Sequence, residues 1–149
     1  MSKLGYVLLI DDSPNDVTLT RHALDRYKLA NEVIVLRDGA EALDYFYGRG
    51  DFVSRNPADP IVVLLDIKMP KVDGIEVLRT MKSDPKLKPI PVVMLTSSRE
   101  GPDVDECYRL GANAYVVKPV DFQQFTDAVR TLGMFWAVVN EPISSASAK

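Results

Sequence analysis

The sequence predicts an α/β fold in which a five-stranded parallel sheet is covered by helices on both faces. Five short runs rich in Val, Leu and Ile recur along the 149 residues, and such runs are typical of strands that are buried on both faces. Each run is followed by a stretch with a helical spacing of apolar residues, and this alternation indicates a parallel sheet. Right-handed crossovers leave few topologies for such a chain, and we expect the common order 2-1-3-4-5.

The first two strand-helix units are predicted in the first third of the chain. A strand over residues 6–10 leads into a helix over residues 14–27, for which Ser13 is the expected N-cap. A second strand over residues 31–36 precedes a helix over residues 40–47. Each unit therefore supplies one strand and the crossover helix that a parallel neighbour requires.

The remaining three units follow a connection of residues 48–60, in which we expect an insertion or an extra helical turn because it exceeds the usual loop length. The further predicted strands lie at residues 61–66, 91–96 and 114–117, and the helices at residues 74–83, 102–110 and 121–133. A chain of 149 residues is thus expected to form one domain.

Composition narrows the possible environments and partners. The formal net charge is −3, so the sequence offers no basic surface for a nucleic acid partner. A single cysteine rules out a disulfide within one chain and fits a reducing compartment. No apolar stretch approaches the roughly 20 residues of a membrane span, and the N-terminus is too short in apolar residues for a secretory signal. We expect a soluble cytoplasmic domain.

Candidate site residues lie at the carboxyl ends of the first, third, fourth and fifth predicted strands. Asp11 and Asp12 follow the first strand, Asp66 ends the third, Thr96 ends the fourth, and Lys118 follows the fifth. In the order 2-1-3-4-5 these four strands are neighbours, and open parallel sheets place ligand sites at the carboxyl ends of their strands. The topology therefore predicts that the five side chains converge on one patch.

Three carboxylates on one patch repel each other unless a cation or a proton is present. A like-charged pair about 4 Å apart costs on the order of 4 kcal/mol at an effective dielectric constant near 20. Mg²⁺ suits such oxygen ligands, and a carboxylate such as Asp66 can act as a nucleophile toward a phosphoryl group. Lys118 would then balance the charge on the phosphoryl oxygens, and Thr96 would donate a hydrogen bond to one of them.

A family resemblance rests on these residues and their order along the chain. The matching motifs are Asp11-Asp12, Asp66-x-x-x-Pro70, Gly74, Thr96 and Lys118-Pro119. Together they resemble the receiver domain of two-component response regulators over about residues 4–133. Each motif alone is common, but all of them appear in order, each after its own strand.

The resemblance implies a role for each matched residue at the metal and acceptor positions. Asp66 is similar to the phosphoacceptor, Asp12 to a direct Mg²⁺ ligand, and Asp11 to a ligand that acts through water. The backbone carbonyl of Lys68 would supply a further ligand, although chemotaxis-type receivers carry Asn at that position. Because this position tunes hydrolysis, we expect a phosphoryl lifetime different from that of chemotaxis-type proteins.

The resemblance also implies a switch on the neighbouring strands. Thr96 is similar to the hydroxyl that turns toward the phosphoryl group, and Tyr115 resembles the aromatic residue whose ring moves inward with it. The surface beside Tyr115, formed by helix 4, strand 5 and helix 5, would then contact a partner protein.

The C-terminal residues extend beyond the domain expected from the family. Residues 134–143 contain Phe135 and Trp136, whose exposure to water at a chain end would be unfavourable. Either they pack under the domain's own last helix or they form an arm that contacts a second copy in a homodimer. This pair and the long connection resemble single-domain regulators partnered with phytochrome histidine kinases. Residues 144–149 are predicted to be a disordered tail.

The leading hypothesis is a single-domain response regulator that takes a phosphoryl group from a histidine kinase, possesses no other enzymatic activity and signals by changed protein contacts. Two alternatives stay open at this point. One is an Asp-nucleophile phosphatase or phosphotransferase, although such enzymes usually separate their two acids by one residue. The other is a receiver-like binding module that is never phosphorylated.

Overall fold

The computed structural model describes residues 6–26, 32–55, 58–96, 102–118 and 123. Its elements are β1 (Tyr6–Ile10), α1 (Pro14–Arg26), β2 (Glu32–Leu36), α2 (Gly39–Tyr47), a short 3-10 helix (Gly50–Phe52), β3 (Val62–Asp66), α3 (Gly74–Ser83), β4 (Val92–Thr96), α4 (Pro102–Leu110) and β5 (Ala114–Val117). Apart from residue 123, the last predicted helix lies outside the described residues, as do the predicted arm (134–143) and tail (144–149).

The sheet confirms the predicted topology. Its strands follow the order β2-β1-β3-β4-β5, and all four neighbouring pairs are parallel. In the central pair, Leu9 lies opposite Leu64 and Ile10 lies opposite Leu65. Because β1 and β3 are in the middle of the sheet, the residues that follow them meet at its carboxyl edge.

The strand residues alternate between two apolar layers, one on each face of the sheet. Leu8 and Leu65 belong to a cluster that includes side chains of α2, α3 and α4, whereas Leu9 and Leu64 belong to a cluster with Val17 and Leu24 of α1. These four strand side chains have no solvent exposure. Burial on both faces explains why the strands appear in the sequence as unbroken apolar runs.

Helices α2 and α3 begin with the same local hydrogen bond. Asp38 caps α2 by accepting the backbone N–H of Glu41, and Asp73 caps α3 by accepting the backbone N–H of Glu76. The sequence predicted that the second helix begins at residue 40, one residue later than in the structure. The structure places Gly39 inside the helix because the Asp38 carboxylate satisfies the first turn.

The long connection between α2 and β3 is attached to the start of β1. It contains the 3-10 helix, which agrees with the expected extra turn. The Tyr6 hydroxyl donates to the carbonyl of Ala58 at 2.6 Å and accepts a hydrogen bond from the Tyr45 hydroxyl at 2.9 Å. The guanidinium of Arg55 lies 4.6 Å from the centre of the Tyr45 ring. These contacts tie the connection to the amino end of the sheet.

Among the residues that the structure describes, no helix has the length and the apolar character that crossing a bilayer requires.

Candidate phosphoryl and cation site

Strands β1, β3 and β5 bring Asp11, Asp66 and Lys118 to the carboxyl edge of the sheet. Asp11 follows β1 and its backbone N–H still donates to the carbonyl of Leu36 at 3.0 Å, so the ladder with β2 fixes its position. Asp66 is the last residue of β3, and Lys118 directly follows β5. A Cβ atom at Gly74 would overlap the carbonyl oxygen of Asp66. Glycine therefore lets α3 start close to the end of β3.

The Lys118 ammonium lies among three carboxylates. Its Nζ atom is 2.9 Å from Asp16 Oδ2, 3.1 Å from Asp11 Oδ2 and 3.2 Å from Asp66 Oδ1. Only 13% of the Lys118 side chain is exposed. An ammonium has three donors, so the number of surrounding carboxylates matches the number of its protons.

Asp11 is fully buried, and only one of its two carboxylate oxygens accepts hydrogen bonds. Its Oδ1 atom accepts the backbone N–H of Ser13 at 3.0 Å and lies 3.3 Å from Nζ of Lys118 as a second acceptor. The Oδ2 atom is buried and has no hydrogen bond, although Nζ is 3.1 Å away. A buried carboxylate oxygen without a hydrogen bond is unfavourable, so this atom can bind a further positive group.

The surroundings in the site shift the pKa values of both Asp66 and Lys118. Burial and the charge of Asp11 raise the pKa of Asp66 to about 7, and the Lys118 ammonium offsets this only in part. Burial lowers the pKa of Lys118, but the hydrogen bond to Asp16 and the charge of Asp66 outweigh it, so this pKa lies above its usual value. Lys118 therefore stays protonated at neutral pH, while Asp66 titrates there.

Asp11, Asp12 and Asp66 form a group that fits a small divalent cation. One oxygen from each of the three lies within 4.8 Å of the others. Carboxylate oxygens are the ligands that Mg²⁺ prefers, and Oδ2 of Asp11 is available because it has no hydrogen bond. A cavity of about 240 Å³ opens beside the group, and it leaves room for water ligands and a phosphoryl group.

The other residues predicted for the site are placed as follows. Asp12 and Lys68 are exposed and line the cavity together with Asp66 and Lys118. The Thr96 backbone pairs with Val117 in the ladder between β4 and β5, whereas the Thr96 side chain is outside the described part of the structure. Phe135 and Trp136 also lie outside it.

Tyr115 lies on β5 beside helix α4. Its ring meets the ring of Tyr108 edge-on, with centroids 5.7 Å apart and an interplanar angle of 77°. Tyr108 itself is 46% exposed. The predicted switch aromatic is therefore in contact with a surface residue of the helix expected to carry the signal.

The contact that Asp16 makes was not predicted from the sequence. An acidic residue at the third position of a helix is usually explained by the helix terminus, and Asp16 occupies that position after the N-cap Ser13. The structure directs its carboxylate to Lys118, 102 residues later. No local sequence pattern signals such a contact.

Comparisons with known proteins agree with this geometry. A family model described as the response regulator receiver domain matches residues 7–130. The chain is 37% identical to response regulator Rcp1 of Synechocystis sp. over 130 residues, which is 87% of each chain.

Two solved structures show the same similarity. The bacteriophytochrome response regulator RtBRR is 57% identical with a TM-score of 0.84, and the match covers 93% of this chain and 84% of the other. The Mn²⁺-bound form of Rcp1 is 36% identical with a TM-score of 0.73, and the match covers 89% and 94% of the two chains.

Proposed function

This chain belongs to the response regulator receiver family, and from that premise we propose that Asp66 accepts a phosphoryl group from a sensor histidine kinase. One observation carries the proposal. The buried carboxylate of Asp66 lies beside the protonated Lys118 and within the group of three carboxylates suited to a divalent cation. Phosphorylation at this point would change the surface that the chain offers to a downstream protein.

The transfer is a nucleophilic displacement at phosphorus. An oxygen of Asp66 forms a bond to phosphorus while the bond from phosphorus to the histidine nitrogen of the kinase breaks, and the electron pair leaves with that nitrogen. The product on this chain is an acyl phosphate. Lys118 stabilises the charge on the phosphoryl oxygens from a position that is already fixed before transfer.

Mg²⁺ is the cation that we assign to the site, where it would neutralise charge on the phosphoryl oxygens. Asp12 is the proposed direct ligand, Asp11 the proposed ligand through water, and the backbone carbonyl of Lys68 completes the protein's contribution. The hydrogen-bond deficit at Oδ2 of Asp11 supports this assignment. The solved Mn²⁺-bound form of the similar Rcp1 supports it as well.

Thr96 and Tyr115 form the proposed switch. The Thr96 hydroxyl would donate to the phosphoryl group, and the Tyr115 ring would move inward as Thr96 moves. The edge-on contact with Tyr108 supports this role, because movement of the Tyr115 ring would alter the exposed surface of α4. The chain would act on its own acyl phosphate and on no other substrate.

The proposed kinase partner is a phytochrome. Its support is the 57% identity to a protein named a bacteriophytochrome response regulator, over 93% of this chain. We place the exchange in the cytoplasm. A homodimer held by an arm containing Phe135 and Trp136, with no nucleic acid partner, completes the proposal.

Intact-protein mass spectrometry after incubation with acetyl phosphate and Mg²⁺ tests the acceptor. The expected result is a gain of one phosphoryl group that is stable in acid and lost in base, as an acyl phosphate requires. The Asp66→Asn variant should gain nothing, whereas Asp105→Asn, the same change at an exposed residue of α4, should behave like the wild type.

Two other outcomes would overturn the proposed function. Repeated turnover of small phosphoesters would indicate a phosphatase, and an unchanged mass in the wild type would indicate a binding module without phosphorylation. The proposed partners need separate assays. Phosphoryl transfer from a purified phytochrome kinase tests the first, and weaker self-association of Phe135→Ala plus Trp136→Ala in sedimentation tests the arm.

A further inference from the structure

We propose that Asp16 is a positioning residue for phosphoryl transfer, because it holds the Lys118 ammonium beside the acceptor oxygen of Asp66. The inference rests on the proposed function and adds a residue that the family motifs quoted above do not include. Its starting point is the distance of 2.9 Å between Asp16 Oδ2 and Nζ of Lys118. This is the shortest of the three carboxylate contacts that the ammonium makes.

Helices α2 and α3 also have an acidic residue at the third helical position, and in both helices its carboxylate makes a local contact. In α2, the Glu41 carboxylate accepts the backbone N–H of Arg37 at 2.6 Å, just before the helix. In α3, the Glu76 carboxylate pairs with Arg79, three residues further along the same helix. Both acidic side chains therefore serve the helix that carries them.

Helix α1 has the same arrangement of residues and uses it differently. The Ser13 hydroxyl accepts the backbone N–H of Asp16 at 3.3 Å, as an N-cap does. The backbone N–H of Ser13, which an acidic residue at the third position normally accepts, instead donates to Asp11. The Asp16 carboxylate is thus released from local capping and pairs with Lys118.

Asp16 also differs from the two other carboxylates around the ammonium. Asp11 and Asp66 belong to the group that fits a divalent cation, whereas Asp16 does not. An oxygen that coordinates a cation becomes a weaker acceptor for Lys118, because two positive groups then compete for it. Asp16 keeps its full charge for Lys118 and so retains the ammonium in the loaded site.

Holding the Lys118 ammonium in place matters most while the phosphoryl group is transferred to Asp66. The bond from the Asp66 oxygen to phosphorus forms as the bond to the leaving group breaks, and negative charge is spread over the phosphoryl oxygens. An ammonium that is already in place stabilises this charge without reorganisation. Asp16 lines the same cavity as Asp66 and Lys118, so its anchor acts directly beside the reacting atoms.

A double-mutant cycle on the rate of phosphorylation tests the inference. The proteins are the wild type, Asp16→Asn, Lys118→Met and the double variant, each phosphorylated by acetyl phosphate with Mg²⁺ and followed by intact mass. We expect Asp16→Asn to slow the wild type by about fivefold to tenfold. In the Lys118→Met background the same change should alter the rate by less than about twofold, because Asp16 acts through Lys118.

The cycle separates positioning from simple charge removal. Loss of a negative charge near an anionic donor would speed the reaction in both backgrounds, and damage to α1 would slow it in both. Glu41→Gln, the same acid-to-amide change at the third position of α2, is the matched control and should leave the rate unchanged. Asp16→Glu retains the carboxylate and should recover part of the lost rate.

A second readout does not depend on phosphorylation. The side-chain NH₃⁺ resonance of Lys118, assigned by its absence in Lys118→Met, should be visible in the wild type because three carboxylates protect its protons from exchange. It should persist when Mg²⁺ is added and should broaden beyond detection in Asp16→Asn, while Glu41→Gln keeps it.

The possible failures are distinguishable. If the wild type gains no phosphoryl group, the proposed function fails. If the wild type is phosphorylated and Asp16→Asn reacts at the same rate, or is slowed equally in both backgrounds, only the role of Asp16 is overturned. An NH₃⁺ resonance of Lys118 that is unchanged in Asp16→Asn would also overturn it.

Discussion

Strand β1 runs between two polar clusters of opposite character. The amino-end cluster consists of Tyr6, Tyr45, Arg55 and Ala58, and the Tyr6 hydroxyl in it both donates and accepts a hydrogen bond. The Arg55 guanidinium lies over the face of the Tyr45 ring. The Tyr6 hydroxyl thus has both a donor and an acceptor partner within the cluster, so this end of the strand contributes to stability.

The carboxyl-end cluster consists of Asp11, Asp16, Asp66 and Lys118. It gathers three carboxylates around one ammonium, and it buries an oxygen of Asp11 that has no hydrogen bond. Charges arranged in this way are less stable than an apolar or fully bonded alternative. One strand therefore supports the fold at its start and the proposed chemistry at its end, where local stability is given up for binding.

We expect the greatest loss of stability when Lys118, the one cation among the four residues of the carboxyl-end cluster, is removed. Lys118→Met leaves Asp11, Asp16 and Asp66 without their shared ammonium, so we expect the free energy of unfolding to fall by about 3 kcal/mol at pH 8 without Mg²⁺. Urea denaturation measures it. Lys71→Met removes an ion pair in which the lysine is largely exposed, and it should cost less than about 1 kcal/mol. Equal losses in the two variants would mean that the carboxyl-end cluster has no special dependence on its ammonium.

The second effect is a pH dependence of stability, between about pH 4 and 7, that arises from Asp66 in the carboxyl-end cluster. The pKa of Asp66 is raised to about 7 by burial and by Asp11, so the folded protein binds a proton that the unfolded chain has already released. The stability that protonated Asp66 contributes to the folded state is therefore fully present below about pH 4, and it is lost as the pH rises through about 7.

Asp66→Asn should remove this loss of stability. Without Mg²⁺ at pH 8, we expect the variant to be more stable than the wild type by about 1.5 kcal/mol, a value reduced because water in the open cavity screens the charge. At pH 4 the advantage should vanish. Urea denaturation at both pH values measures the difference, and Asp105→Asn is the control; a constant offset between Asp66→Asn and the wild type would refute the assigned cause.

The smallest effect lies at the amino-end cluster. Tyr45→Phe deletes the buried hydrogen bond to the Tyr6 hydroxyl and should lower the free energy of unfolding by about 1 kcal/mol. The loss should be the same at pH 5 and pH 8, and the same with and without Mg²⁺, because no carboxylate takes part in it. A loss that changes with Mg²⁺ would mean that the two ends of β1 are coupled rather than independent.

The topology, and the positions of Asp11, Asp66 and Lys118, could be predicted from the sequence because both follow from local patterns. Unbroken apolar runs identify doubly buried strands, and the first polar residue after each run marks the carboxyl edge. This reasoning located Asp11, Asp66 and Lys118 correctly at that edge. The roles assigned to these three residues stay predictions, as do those of Thr96, Phe135 and Trp136.

Three features could not be predicted because they depend on contacts between distant residues. The pairing of Asp16 with Lys118 spans 102 residues, and the bond between Tyr45 and Tyr6 spans 39. The raised pKa of Asp66 results from burial combined with its neighbour Asp11, which follows a different strand. Local sequence explains where each side chain is attached, but only the assembled sheet determines which charges meet.

The proposed function requires the carboxyl-end cluster to receive a divalent cation beside Asp66. Its most direct test is the thermal unfolding midpoint of the wild type at pH 8 during a titration with Mg²⁺. Because only the folded chain gathers these carboxylates, we predict a rise of about 8 °C at a hundredfold excess over the dissociation constant, and a smaller rise in Asp66→Asn. A midpoint that does not move with Mg²⁺ would contradict the account.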